Sequence, residues 1–545
     1  MKLLPSQLRP AAALRDALRE GYTLKNLRAD LVSGVIVGLV ALPLAMALAI
    51  ACGLPPQHGI ATAIVAGAVI AVLGGSRTQV SGPTAAFVVV LAPVVTHYGL
   101  AGLALATLMA GIMMVIMAVS GLGRMVRYIP YPVTVGFTAG IGIVIASLQV
   151  KEVTSGVGAA IVGAVTLSIL IIWPRVVRRV PAHLVALTVG TLLALGLAHF
   201  WPELTVDTIG TRFASQGGIP GGPPPMGLPW HLAGLGGQPL ELHFDLFRKL
   251  LGPAFAIAML GAIESLLSAV VADGLAGTRH DPDAELFAQG VGNMVAPFFG
   301  GFAATGAIAR TATNIRAGGR SPIAALTHAG FVLLAVVLMA PLLNHLPMPA
   351  LAAVLLMTAW NMSELPHAVH TLRHAPRSDG AVLLVCVVLT VAVDMVAAVV
   401  GGVVLASLLF IRRMAEVTDV HILREDERQG PVEGMPPGVL IYAIAGPLFF
   451  GAAQRAMQEL DVIGGQYWAV VLELHDVPAI DATALANLES ALKRLARDNT
   501  VVVLAGARPQ VAAALARHGL AKRWGHVEIC ADLEAAATLL KECAT

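Results

Sequence analysis

The sequence predicts an all-α polytopic membrane domain followed by a small α/β domain, and three observations predict it. Hydrophobic residues make up 57% of the chain and charged residues only 12%, with a mean hydropathy of +0.79, far more apolar than one or two soluble cores. Apolar runs able to cross roughly 30 Å of hydrocarbon, about 20 residues each, recur along the chain, as in Leu31 to Ala51 and from Ala381 onward. After Arg413 the composition becomes ordinary, and strand-like and helix-like segments alternate.

The first 28 residues are basic and amphipathic, with Lys2, Arg9, Arg15, Arg19, Lys25 and Arg28 ahead of the first apolar run. They lack the short hydrophobic region and small-residue cleavage site of a secretory signal, and read as a retained cytoplasmic, interfacial helix. Residues 29–415 hold about 14 apolar segments between charged or Pro/Gly-rich breaks. With the N-terminus inside, alternate connections should carry the basic residues. Arg77, Arg124 with Arg127, Arg175 with Arg178 and Arg179, Arg279, Arg316 with Arg320, Arg373 with Arg377, and Arg412 with Arg413 follow that rule. Arg248 and Lys249 break it, and are expected to snorkel at the outer interface.

Trp201 to Asp245 is rich in Gly and Pro and poor in charge, and reads as an extracytoplasmic loop (201–245) between a first half, 29–200, and a second, 246–415. Each half then has about seven crossings, so the second enters from the opposite side, as in inverted-repeat secondary transporters. Residues 416–436 read as a linker and 437–545 as one cytoplasmic α/β domain. Its expected strands are Val439 to Ile444, Trp468 to Leu474 and Val501 to Ala505, and its helices Asp481 to Asp498 and Gln510 to His518.

A net charge of +2 names no polyanionic partner, and no nucleic acid is expected. Cys52, Cys386, Cys530 and Cys543 are scattered, without CxxC or metal-ligand spacing, so disulfides, metals and iron–sulfur cofactors are not expected. No catalytic residue set emerges, and the chain does not read as an enzyme.

Two interrupted stretches carry the functional signal. In Gln79-Val80-Ser81-Gly82-Pro83-Thr84-Ala85-Ala86-Phe87 a Gly-Pro pair sits at bilayer depth before an apolar helical run. A half-helix starting there would turn its free N–H groups and positive dipole end to a cavity. Gly300 to Arg310 repeats the pattern in the second half, with a half-helix expected from Gly306. Two such N-termini meeting at the midplane make an anion site without a lysine. The competing reading is that Gly and Pro kink ordinary spans, or that small residues pack helices closely.

Glu264 lies in mid-span, where an unpaired carboxylate costs several kcal/mol. It must therefore face protein or water, which suits a coupling proton or, alternatively, local helix packing. Ser268 is one turn on, on the same face. Arg310 could hold a carboxylate substrate bidentately, or pair with Glu264, or snorkel to the cytoplasm. Asp273, Asp394 and His328 are expected at span ends or in structural hydrogen bonds, and Asn361 and Glu364 at a boundary.

Asp30 to Gly34 through Ala41-Leu42-Pro43, Gly74 to Arg77, Val80 to Thr84, Ile263 to Leu267 and Asn314 to Arg320 together resemble the SulP anion transporters, and within them the bacterial C4-dicarboxylate carriers. That resemblance implies 14 transmembrane segments as 7+7 inverted repeats, split into core and gate domains, with a C-terminal cytoplasmic STAS domain. It implies substrate contacts at Pro43 and Leu44, at Thr84, Ala85 and Ala86, and at Gly306, Ala307, Ile308, Ala309 and Arg310, with Glu264 and Ser268 as the proton-coupling pair. Ala482 follows Asp481 where soluble STAS relatives carry a phosphorylatable Ser. The implied protein is an inner-membrane homodimer in contact with lipid, with both termini cytoplasmic and room for a protein partner on its STAS domain. Its expected activity is proton-coupled uptake of succinate, fumarate or aspartate by an elevator-like movement. The alternatives are a sulfate or bicarbonate carrier coupled to protons or sodium, an anion channel, or a STAS-based sensor.

Overall fold

The computed structural model describes residues 8–177, 180–234, 237–238, 240–423, 434–463, 467–520 and 527–544; Lys2, Arg178, Arg179 and residues 424–433 of the expected linker lie outside these. The chain forms two compact units that divide between Val403 and Val404.

Helix starts in the first unit are set by proline and by side-chain caps. After α1 (Ala12–Arg19), α2 (Leu24–Ala51) begins behind a Thr23 cap, and α3 (Pro56–Leu73) has proline at its first position, where no N–H is wasted. Strand β1 (Ser81–Gly82) leads into α4 (Ala85–Val119), two helices joined across a break at Gly99, whose φ of 69° favours glycine. Then follow α5 (Tyr131–Val153), α6 (Val157–Val176), α7 (Ala182–Phe200) and, in the Gly/Pro-rich stretch, the single turn α8 (Ile209–Arg212). The second half runs through α9 (Phe244–Ala276), α10 (Pro282–Val295), β2 (Thr305–Gly306), α11 (Ile308–Arg316) and α12 (Pro322–Leu343). It closes with α13 (Met348–Met362), α14 (Leu365–His374), α15 (Arg377–Ala392) and α16 (Met395–Val417), the last crossing the division between units.

Among the described residues, nine helices are long and apolar enough to span a membrane: α2 to α7, α9, α12 and α16. Large apolar side chains such as Ile172, Leu192 and Leu338 lie exposed on them, as a lipid-facing surface requires. The chain is a multi-pass membrane protein.

The helices sort into two groups by packing. One comprises α2, α3, α4, α9, α10, α11 and α12; the other comprises α5, α6, α7, α13, α14 and α15. Within the first, α4 and α10 touch through backbone: a Cβ on Gly111 would lie 2.6 Å from the Gly290 carbonyl, and one on Gly290 2.8 Å from that of Gly111. Lipid tails offer no hydrophobic drive for helix association, so such close contact is what holds these helices.

Within the basic leading segment Lys25 and Arg28 belong to α2, while α1 buries Ala12, Ala13 and Ala17, and Ala11 N and Ala13 N donate to the Leu73 and Gly74 carbonyls at the end of α3. The loop 201–245 is structured, laid over helix ends through Gly210 N to Asn344 O, Gly227 N to Phe298 O and Met348 N to Asp207 O. Lys249 pairs with Asp245 at 2.6 Å in the first turns of α9.

The second unit is a five-stranded sheet of order β3-β4-β5-β6-β7, comprising β3 (Asp419–Leu423), β4 (Val439–Ala445), β5 (Ala469–Glu473), β6 (Val501–Ala505) and β7 (Val527–Cys530). Only the β3–β4 pair is antiparallel. On one face Leu440, Tyr442, Val470 and Leu472 pack against α17 (Phe450–Ile463), α18 (Ala482–Arg497) and α19 (Pro509–His518). Val439, Ile441, Val471 and Val503 pack on the other against α20 (Leu533–Ala544). Both faces are buried, so these strands read as continuous apolar runs. The stretch expected as linker contains β3.

Candidate functional site

The two interrupted stretches cross each other. Ser81 pairs with Gly306 and Gly82 with Thr305, antiparallel, and Ala307 N donates to Val80 O at 2.9 Å. Extended backbone inside a membrane must satisfy its polar groups within the protein. Here the strands bond each other, and side chains complete the set. Val80 N donates to Thr311 Oγ1 at 3.1 Å, and Asn314 Nδ2 to Thr78 O at 2.7 Å.

From this crossing two helices depart, α4 with Thr84 as its cap residue and α11 with Ala307. Neither cap side chain bonds its own helix, so the first-turn amides of both keep their anion-attracting character. The expected half-helix start at Gly306 is corrected to Ile308: Gly306 is engaged in β2, and a Cβ there would fall 2.1 Å from Gln79 Nε2. Ala85 and Ala86 form the buried first turn of α4, while Ile308 and Ala309 open α11.

Helix α9 lays a face of period three to four along the crossing. Gly261 O accepts from Thr305 Oγ1 at 3.0 Å, Glu264 Oε2 from Thr84 Oγ1 at 3.0 Å, and Ser265 Oγ from Gln79 Nε2 at 3.1 Å. Ser268 Oγ lies 3.4 Å from Thr311 Oγ1. Glu264 and Ser268 are both buried.

Arg310 is only 2% exposed. Its Nη2 donates to Pro83 O at 2.9 Å, while Nε and Nη1 have no partner. It neither snorkels nor forms an ion pair with Glu264 among the described residues. Gly82 makes room for it, since a Cβ there would lie 2.5 Å from Nη1. The guanidinium thus presents two unpartnered nitrogens, Nε and Nη1, beside two helix N-termini. Pro43 and Leu44 are buried in the middle of α2, which packs on α11 through Ser33 Oγ and Asn314.

The polar groups that scaffold the crossing are on α10. Glu285 accepts from Gly75 N, Ser76 N, Gln79 Nε2 and Gln289 Nε2, all within 3.0 Å. Gln289 Nε2 also reaches Ser81 Oγ, and Asn293 brackets Ala304 through its backbone N and O. Glu285, Gln289 and Asn293 repeat every fourth residue, a stripe legible on an apolar helix. Asp273 and Asp394 do sit at helix ends, the first bonded to Thr278 and His280 and the second to Ala397 N. His328 does not: it is fully buried within α12, neither ring nitrogen has a partner, and it interacts electrostatically with Arg310.

Known proteins give this geometry a context. Residues 27–158 and 154–387 match the model of the sulfate permease family, and residues 435–536 that of the STAS domain. Over 93% of this chain and 96% of the relative, the sequence is 36% identical to "Putative sulfate transporter YvdB" of Bacillus subtilis. It is 31% identical to the bicarbonate transporter BicA of Picosynechococcus sp., over 92% of each chain. The transmembrane domain of a cyanobacterial BicA superposes with a TM-score of 0.60 at 29% identity, covering 69% of this chain and 98% of that one. Murine Solute Carrier 26 family member A9, an anion transporter in the inward-facing state, shares the fold at a TM-score of 0.79 and 16% identity, over 98% and 94% of the two chains. These likenesses, with the paired helix ends, make the molecule an anion transporter rather than an enzyme: the chain belongs to the sulfate permease family.

Proposed function

We infer that the protein is a secondary active carrier of a small inorganic oxyanion, sulfate or bicarbonate. The observation that carries this is Arg310, buried with two unpartnered nitrogens beside the N-termini of α4 and α11. An oxyanion accepts from amides and guanidinium together. The names of relatives covering most of the chain, YvdB for sulfate and BicA for bicarbonate, support that ligand class. The nearer likeness to C4-dicarboxylate carriers such as DauA, and with it succinate as the substrate, has no support in the relatives named above.

In this reading Thr84, Ala85, Ala86, Gly306, Ala307, Ile308, Ala309 and Arg310 surround the anion, with Pro43 and Leu44 contributed by α2. Glu264 sets the charge balance. Protonated, it leaves the arginine unopposed and the site receptive; ionised, it neutralises the site and favours release. Ser268 joins Glu264 through the α9 face. Fourteen segments, as 7+7 inverted repeats, follow if α4 counts as two across Gly99 and the shorter α10, α11, α13 and α15 are included, with α14 left at the interface. The group holding the site then moves as an elevator core against the other group. The arginine-rich connections support cytoplasmic termini in a bacterial cell, and we take a homodimer as the assembly.

Uptake of labelled sulfate and labelled bicarbonate into proteoliposomes, under proton and sodium gradients and with succinate as competitor, tests the reading. We expect gradient-driven accumulation of one oxyanion, indifferent to succinate. Arg310→Gln should weaken it about 10- to 100-fold, the scale of one or two charge-assisted hydrogen bonds. Uptake of succinate alone, or oxyanion uptake untouched by Arg310→Gln, would overturn it.

A further inference from the structure

A second cavity lies at the helix ends that carry the basic connections, and it shares no residue with the crossing of β1 and β2. Arg9 before α1, Arg77 after α3, Arg124 after α4 and Arg279 after α9 line one cavity of about 330 Å³. Asp16 and Asp281 are the acids of its wall, and both are committed. Asp16 bonds Arg9 at 3.2 Å, and Asp281 Oδ1 caps α10 by accepting from Asp283 N and Ala284 N.

Three of the arginines are oriented by carboxylates: Arg9 by Asp16, Arg77 by both oxygens of Glu20, and Arg124 by Asp283 at 3.0 Å. Each bond uses one or two of five guanidinium donors, so donors remain. Arg279 has no ion pair among the described residues. His280, on the same wall, is held by Asp273 at 2.7 Å. Four guanidiniums from remote parts of the chain thus share one void: Asp16, Glu20 and Asp283 pair with three of them, Asp281 is spent on the α10 cap, and Arg279 is left for a ligand together with the unused donors of the other three.

We propose that this cavity binds a phosphate-bearing anion, either the headgroup of an anionic lipid or a soluble phosphate ester. Arginine forks match phosphate oxygens bidentately, and basic pockets at the ends of membrane helices suit phosphate headgroups. Because α1 docks on α3 through Leu73 O and Gly74 O, the ligand ties Arg9 to Arg124 and Arg279 and secures α1.

The experiment uses the full chain in nanodiscs of neutral lipid, titrated with inorganic phosphate and glycerol phosphate, and in nanodiscs containing phosphatidylglycerol. Melting temperature and hydrogen exchange of the α1 amides are read. Arg279→Gln and Arg124→Gln are compared with Arg175→Gln, which lies outside the cavity. We expect a phosphate-bearing probe to raise the melting temperature and slow exchange in α1, with about tenfold weaker apparent affinity in Arg279→Gln and Arg124→Gln and none lost in Arg175→Gln. An effect confined to phosphatidylglycerol discs identifies the lipid source; an effect of the soluble probes in neutral discs identifies the soluble one. No response in either disc, or equal responses from all three variants, overturns the proposal.

Discussion

The Thr84 hydroxyl donates to Glu264 Oε2 across 3.0 Å, joining the cap residue of α4 to the mid-span carboxyl of α9. The same residue thus borders the candidate anion position and the candidate proton carrier. Thr84→Val removes the donor while keeping the shape, and should slow proteoliposome uptake about tenfold, the cost of one hydrogen bond to a charged group. Thr84→Ser should retain uptake. Equal rates for Val and Ser would show that the bond is incidental to transport.

Gly82 tests the arginine from the opposite side. An added Cβ would meet Arg310 Nη1 at 2.5 Å but nothing else closer than 3.7 Å, so the flexible guanidinium yields rather than the backbone. Gly82→Ala should raise the KM for the anion several-fold and leave the melting temperature nearly unchanged. Gly59→Ala is the contrast: its Cβ would lie 2.0 Å from the Ala45 carbonyl. With only backbone to move, a loss of about 1–3 kcal/mol is expected. Thermal melting beside uptake kinetics separates the two.

The sequence made the break points readable and their partners unreadable. Gly82-Pro83 and Gly306 stand out because each breaks an apolar run amid small and hydroxyl residues at matched places in the two halves. The true start of α11 at Ile308 was hidden, because Thr305 and Gly306 are claimed by a strand whose partner lies over 200 residues earlier. Arg310 bonds Pro83 at a separation of 227 residues, so periodicity could not choose between that carbonyl, Glu264 and the cytoplasm. Nor could length alone find every crossing, since α11 has nine residues and α10 fourteen. In the second unit, continuous apolar runs located β4, β5 and β6 to within a residue or two, whereas β3 and β7 gave weaker patterns.

Glu285 gathers the heaviest load of donors in the scaffold, two backbone and two side-chain. Glu285→Ala leaves Gly75 N and Ser76 N buried without an acceptor, each costing about 1–3 kcal/mol before relaxation, and leaves Gln79 Nε2 and Gln289 Nε2 only Ser265 and Ser81. We expect folded yield to collapse in size-exclusion profiles of the solubilised protein. Glu285→Gln fits the same space but presents an amide to donors, and should recover part of that yield with a lowered melting temperature. An alanine variant as abundant and as stable as the parent would show that water replaces the carboxylate without penalty.

Glu473 at the end of β5 gives the second unit a pH dependence. Burial pushes its carboxyl above the ordinary 4.5, Asp476 adds to the rise, and His475 opposes it. The folded form therefore holds a proton that the unfolded chain releases over the window from about 4.5 up to the raised value. Its contribution is fully present below 4.5 and is lost as pH climbs through that window, so the unit should become less stable towards neutrality. Glu473→Gln stays neutral throughout and should flatten this part of the profile. Hydrogen exchange of the β5 and β6 amides in the full chain, followed between pH 4.5 and 7 after correction for the intrinsic exchange rate, reads the effect. A profile with the same slope in Glu473→Gln would assign the dependence to another group.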